Sequence, residues 1–181
     1  MNGKFNKTGV WTIVVLILLS LVLSACDSSS QSEVTTGSWA GKVEGTDAFI
    51  GIASNGKEVI AYVCDGQSIS QWFKGQINSN SLELSANGAT LRLDLAVDSA
   101  SGTVTLADGG SFNFTADRAS GDAGLYRLDE SANGEDFVSG WVVLNDGQLR
   151  GLKVGSKGTF EPLRSLGDGS VRFDEDPTKP Y

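Results

Sequence analysis

Two residues in this 181-residue chain could act as strong nucleophiles, Cys26 and Cys64, and no histidine stands beside either, because the chain contains none. Imidazole is the usual general base near neutral pH and the commonest metal ligand. Its absence excludes a Ser-His-Asp or Cys-His site within the chain, and a zinc site with imidazole ligands. The chemistry left belongs to carboxylates, Ser, Thr, Lys, Tyr and Cys64. A glycosidase-type pair needs two acids facing each other across a cleft, and no spacing of the acids here singles out such a pair. Cys64 ends the apolar run EVIAYVC, where a free cysteine behaves as a small buried hydrophobe. Asp129, Ser131, Asn133 and Gly134 match positions one, three, five and six of a calcium loop, but position twelve is Gly140 rather than a bidentate Glu. That stretch reads as a hairpin turn, and no metal or other cofactor is expected.

Binding chemistry has more candidates. Asp65, Trp72, Tyr126 and Arg127 lie near predicted strand ends, with Tyr62 and Phe73 close by. Trp, Tyr and Arg are enriched at binding hot spots. These four form the expected ligand-binding set, and no catalytic residue is assigned.

The N-terminal segment tells where such a site would work. Lys4 and Lys7 precede the apolar run 9–25, which closes on Ala25-Cys26. This is the order of a secretory signal peptide. A membrane span needs about 20 apolar residues, which this run narrowly misses. Leu23-Ser24-Ala25-Cys26 resembles the bacterial lipobox of lipoprotein signal peptides. That resemblance implies lipid attachment to the Cys26 sulfur, by chains such as palmitate, and cleavage between Ala25 and Cys26. Two or more acyl chains give stable membrane attachment. The implied location is the cell membrane, lipid-anchored, facing outside the cytoplasm. Asp27 also resembles a signal that some double-membrane bacteria use to keep a lipoprotein at the inner membrane, so the choice of membrane stays open.

Losing Lys4 and Lys7 with the signal takes the formal charge from −8 to −10. So acidic a chain repels phosphate backbones, which argues against a nucleic-acid partner. With Cys26 lipidated, Cys64 has no intrachain disulfide partner, and stability must come from a core.

Four segments follow: a signal peptide over 1–25, a lipidated cysteine and flexible tether over 26–37, a β-domain over 38–165, and a largely disordered tail over 166–181. The tether is the low-complexity DSSSQSEVTTG. In the β-domain, Ala89, Leu91, Leu93, Leu95 and Val97 alternate with Thr90, Arg92, Asp94 and Asp98, the period of a half-buried strand. Asn55-Gly56, Asn87-Gly88 and Asn133-Gly134 suit type I′ hairpin turns. The expected fold is all-β: an antiparallel meander of nine to eleven strands forming a barrel or a sandwich. At most one short helical turn is expected, at Ile69, Trp72 and Phe73, whose spacing is i, i+3, i+4, with a bulged strand start as the alternative. The runs 58–64 and 137–144 are apolar on both faces, as in strands covered on both sides. Their shared Asn-Gly start and Asp-Gly-Gln end read as common turn chemistry, with a weak internal repeat as the alternative. Gly37-Ser38-Trp39 resembles the first strand of lipocalin-like and avidin-like up-and-down barrels, a likeness too short to imply a ligand pocket.

The functional expectation is a non-catalytic lipoprotein whose β-domain binds a small molecule or an envelope component. A carboxylate-based hydrolase of the cell envelope, or a structural or inhibitory partner-binding protein, are the alternatives. The anchor has a direct test. Cells fed an alkyne analogue of palmitate should label the wild-type protein and leave Cys26→Ser unlabelled. Equal labelling of both, or of neither, would remove the lipid from Cys26.

Overall fold

The computed structural model describes residues 34–173, and every regular element in that range is a strand. Cys26, the signal segment and residues 174–181 lie outside the described residues. Eight strands form one antiparallel sheet: β1 Gly37–Val43, β2 Phe49–Ser54, β3 Glu58–Cys64, β4 Ser70–Gln76, β5 Ser81–Ala86, β6 Ala89–Leu95, β7 Ser99–Thr105 and β8 Ser111–Arg118. β1 pairs with both β2 and β8, so the meander curls back on itself. β4 and β5 lie side by side without a hydrogen-bonded ladder, leaving one seam in a nearly closed barrel. Five more strands form a second antiparallel sheet: β9 Gly124–Ala132, β10 Glu135–Val143, β11 Leu149–Gly155, β12 Phe160–Leu163 and β13 Val171–Arg172, in the order β12-β11-β10-β9-β13.

Period-2 alternation builds the barrel. On β6, Ala89, Leu91, Leu93 and Leu95 point inward and are buried, while Arg92 and Asp94 are exposed. Trp39, Ile50, Ile52, Val59, Phe73 and Phe114 join them in one core. Val97 does not continue the row. The Ala96 N–H bonds back to the Ser99 carbonyl, so the chain has begun to turn, and Val97 is 67% exposed.

Turn chemistry follows the sequence at two of three Asn-Gly sites. Asn87 and Gly88 have φ of 52° and 79°, Asn133 and Gly134 53° and 71°, as a type I′ turn requires. At Asn55-Gly56 only the glycine has positive φ. There the Asn55 side-chain oxygen accepts the N–H groups of Lys57 and Glu58, which closes a different turn.

The helical turn does not form. Asp65 gathers the N–H groups of Gln67, Ser68 and Ile69, and the chain enters β4 already extended. Pairing with β3 sets Trp72 opposite Tyr62 and Phe73 opposite Ala61. Adjacent aromatics therefore go to opposite faces: Phe73 packs into the barrel core and Trp72 against the cluster outside it.

β2 and β3 are buried on both faces because the second sheet packs on the barrel wall there. Phe49, Ala53, Ile60, Tyr62 and Cys64 meet Leu125, Val142, Leu144 and Leu152. β10 is covered on both faces as well. Its outer face carries Trp141, which packs with Tyr126 and Val143 and donates its indole N–H to the Ser165 carbonyl at 2.8 Å. Residues 164–170 thus cross this face from β12 at one edge to β13 at the other.

Both predicted domain boundaries shift outward. Val34 packs on the barrel core, Thr35 donates to Asn80, and the Thr36 carbonyl accepts from Arg118. Residues 34–37, read as tether, therefore belong to the domain. At the other end β13 pairs with β9 and Phe173 packs beside Trp72, so the fold runs past 165.

Two truncations probe the two cores. Leu93→Ala inside the barrel and Leu125→Ala between the sheets should each cost about 2–5 kcal/mol. Urea unfolding should remain a single transition in both. A separate early transition in Leu125→Ala would mean that the second sheet unfolds on its own.

Candidate functional site

β4 and β9 bring together two of the four predicted ligand residues. Trp72 stacks on Tyr62 with ring centroids 4.2 Å apart and 25° between planes. Phe173 meets Trp72 edge-on at 6.2 Å. The Arg127 guanidinium lies 5.0 Å from the Trp72 ring centroid, within cation–π range. Asp129, two residues along the same face of β9, holds that guanidinium through two hydrogen bonds of 2.8 Å, from Nε and Nη2.

Gly140 makes the stack fit. It pairs with Arg127 across β10 and β9. A Cβ there would lie 2.6 Å from Tyr62 and 2.7 Å from Trp72. No side chain other than hydrogen leaves room for both rings.

Trp72, Arg127 and Asp129 line an open cleft of about 800 Å³ with Ile60, Phe73, Lys74, Val171 and Phe173. That is within the size range of small-ligand sites. Its walls are mainly apolar. Its charged members are Arg127, Lys74 and Asp129, and Lys74 also faces Glu58 at 3.6 Å.

The other two predicted residues lie elsewhere. Tyr126 alternates to the opposite face of β9, buried against Trp141, and its hydroxyl donates to the Asp122 carbonyl at 2.8 Å. It is a core residue. Asp65 caps the turn after β3. Burial alone would raise its carboxyl pKa, but the N–H groups of Gln67, Ile69 and Ser68 with the Ser68 hydroxyl hold it below its ordinary value. It borders a second, polar cleft of about 650 Å³ with Asp47, Gln67, Arg150 and Arg164.

Sequence reasoning missed Val171 and Phe173, which it placed in the tail, and Asp129, which it weighed as a calcium ligand. The i, i+2 spacing of Arg127 and Asp129 on one strand was the available signal. Among the described residues, no group of three or more His, Cys, Asp or Glu is arranged to hold a metal ion.

Cys64 is free and fully buried, and its Sγ accepts the Gly66 N–H at 3.2 Å. Burial pushes its thiol above the ordinary 9.0. Burial likewise raises the Tyr62 phenol, whose oxygen lies 3.0 Å from the Ser70 hydroxyl. A thiolate at Cys64 is disfavoured, so the position does not supply a nucleophile.

The chain matches no protein-family model, and no curated protein or solved structure matches it significantly.

Both raised groups bind their protons more tightly in the folded state. Their stabilisation is complete below the unfolded values of 9.0 and 10.0 and is lost as pH rises beyond them. The urea midpoint should therefore fall above about pH 9. A Tyr62→Phe, Cys64→Ala double variant should fall less steeply. Equal slopes would mean that these groups do not govern the alkaline limit.

Proposed function

We propose that this protein is a lipid-anchored, extracytoplasmic binding protein, and that the cleft of Trp72 and Arg127 is its ligand site. The single observation behind the ligand site is the cleft itself. Trp72, backed by the buried Tyr62 ring, and Phe173 border an open, mainly apolar space with charged groups at its rim. Sites of this build bind small molecules through apolar contact and orient them through a few polar groups. The lipobox supports the anchored location. Attachment through Cys26 would hold the domain near the membrane and leave the cleft to meet envelope components or imported molecules. The chemistry assigned to the cleft is recognition, since among the described residues Asp129 is the one acid in its lining and no second acid faces it to make a carboxylate pair.

The test uses the whole chain in lipid nanodiscs with 5-fluorotryptophan in place of tryptophan. Small amphiphiles with neutral, anionic and cationic head groups are added in turn, with empty nanodiscs as blanks. The Trp72 fluorine resonance, assigned through Trp72→Phe, should shift saturably with at least one compound. Trp39 and Trp141, both buried, should hold still. A Trp72 signal that no compound moves would remove the cleft as a ligand site.

A further inference from the structure

The charge arrangement of the cleft narrows the ligand class. We propose that the Trp72–Arg127 cleft selects an amphipathic anion, with its apolar body on Trp72 and Phe173 and its acidic head on Arg127 in the place now held by Asp129. This inference rests on the cleft being a binding site and adds the chemistry of the occupant.

Three observations carry it. The chain is strongly acidic, at −8 overall, yet the charged groups lining this cleft are two cations and one acid. Glu58 stands 3.6 Å from Lys74, so the local charge is near balance while the whole chain is strongly acidic. Charge complementarity to Arg127 selects among ligands that share the same apolar contacts.

The second observation is the state of the acid. Asp129 grips Arg127 in a fork-to-fork geometry, but its side chain is 62% exposed and that of Arg127 is 32% exposed. Exposed pairs of this kind are held weakly. A ligand carboxylate or phosphate offers Arg127 the same paired acceptors, and Asp129 can turn to solvent. Asp129 acts as a stand-in for the ligand head.

The third observation concerns the alternative sign. A cationic ligand would seek the face of Trp72, where cation–π attraction is strongest. The Arg127 guanidinium already occupies such a position at 5.0 Å. A second cation there would meet Arg127 and, within the same cleft, Lys74. The apolar remainder is set by Ile60, Val171 and Phe173 around Trp72, which suits a ring or a short alkyl chain and offers little to a polyhydroxylated body.

The test takes three probes with one body: 4-phenylbutyrate, 4-phenylbutan-1-ol and 4-phenylbutylamine. Each is titrated against the fluorotryptophan-labelled whole chain in nanodiscs. The acid should bind about threefold to tenfold more tightly than the alcohol, and the amine most weakly. Arg127→Gln should bring the acid down to the alcohol. Arg127→Lys should keep part of the preference, since it keeps the charge but loses the fork. Asp129→Asn should tighten the acid severalfold and leave the alcohol unchanged, because it removes the internal competitor. Unmoved Trp39 and Trp141 resonances certify that each variant is folded. Equal binding of the three probes, preference for the amine, or weaker acid binding in Asp129→Asn would each overturn the inference while the cleft still stands as a site. Failure of all three probes to move Trp72, when other amphiphiles move it, would overturn the inference as well. Failure of every amphiphile would remove the binding reading itself.

Discussion

Burial of β2 and β3 on both faces is the constraint on which the rest of the molecule depends. Inside the barrel these strands place Ile50, Ile52, Val59, Ala61 and Val63 in the core. Outside it they press Phe49, Ala53, Ile60, Tyr62 and Cys64 against the second sheet. A strand covered on both sides has no solvent face for charge, and these two carry none between Val59 and Cys64 or between Phe49 and Ser54. Hydrophobic burial is roughly proportional to the apolar area removed from water, so these two strands hold the sheets together as well as the barrel wall.

The cleft is a by-product of that packing. The second sheet covers β2 and β3 but stops short of the barrel seam, where β4 and β5 share no ladder. Tyr62 is fully buried under the second sheet, while its neighbour Trp72 on β4 is only half-buried. The aromatic pair therefore straddles the boundary between core and solvent. Tyr62 anchors the stack, Gly140 leaves space for it, and Trp72 presents the outer part of the platform. Rigid aromatic surface, held in place before a ligand arrives, lowers the ordering cost of binding. The residues that complete the rim, Val171 and Phe173, arrive with the last strand after the chain has crossed the outer face of the second sheet.

Local patterning was legible where one rule governed. Alternation placed β6 correctly up to Leu95, and Asn-Gly marked the hairpins at 87–88 and 133–134. The apolar runs at 58–64 and 137–144 announced strands covered on both sides. Legibility failed where two rules competed. Ile69, Trp72 and Phe73 have helical spacing, but cross-strand pairing with β3 decided the outcome. Within the predicted ligand set, Trp72 and Arg127 converge because they lie on neighbouring half-buried positions of two sheets. Tyr126 parts from Arg127 because adjacent strand residues face opposite ways, and Asp65 parts from Trp72 because it serves its own turn.

By itself the sequence determined the all-β class, the turn positions, the absence of imidazole chemistry and the lipobox-like segment around Cys26. Each of these is a property of residue type or of spacing along a few residues. Only the tertiary structure decided that the meander curls into a nearly closed barrel, that a second sheet covers β2 and β3, and that Trp72, Arg127, Asp129 and Phe173 share one cleft. The physical reason is range. Pairing of β1 with β8 and of β13 with β9 joins residues far apart in the chain, and no local periodicity encodes which distant edge a strand will meet.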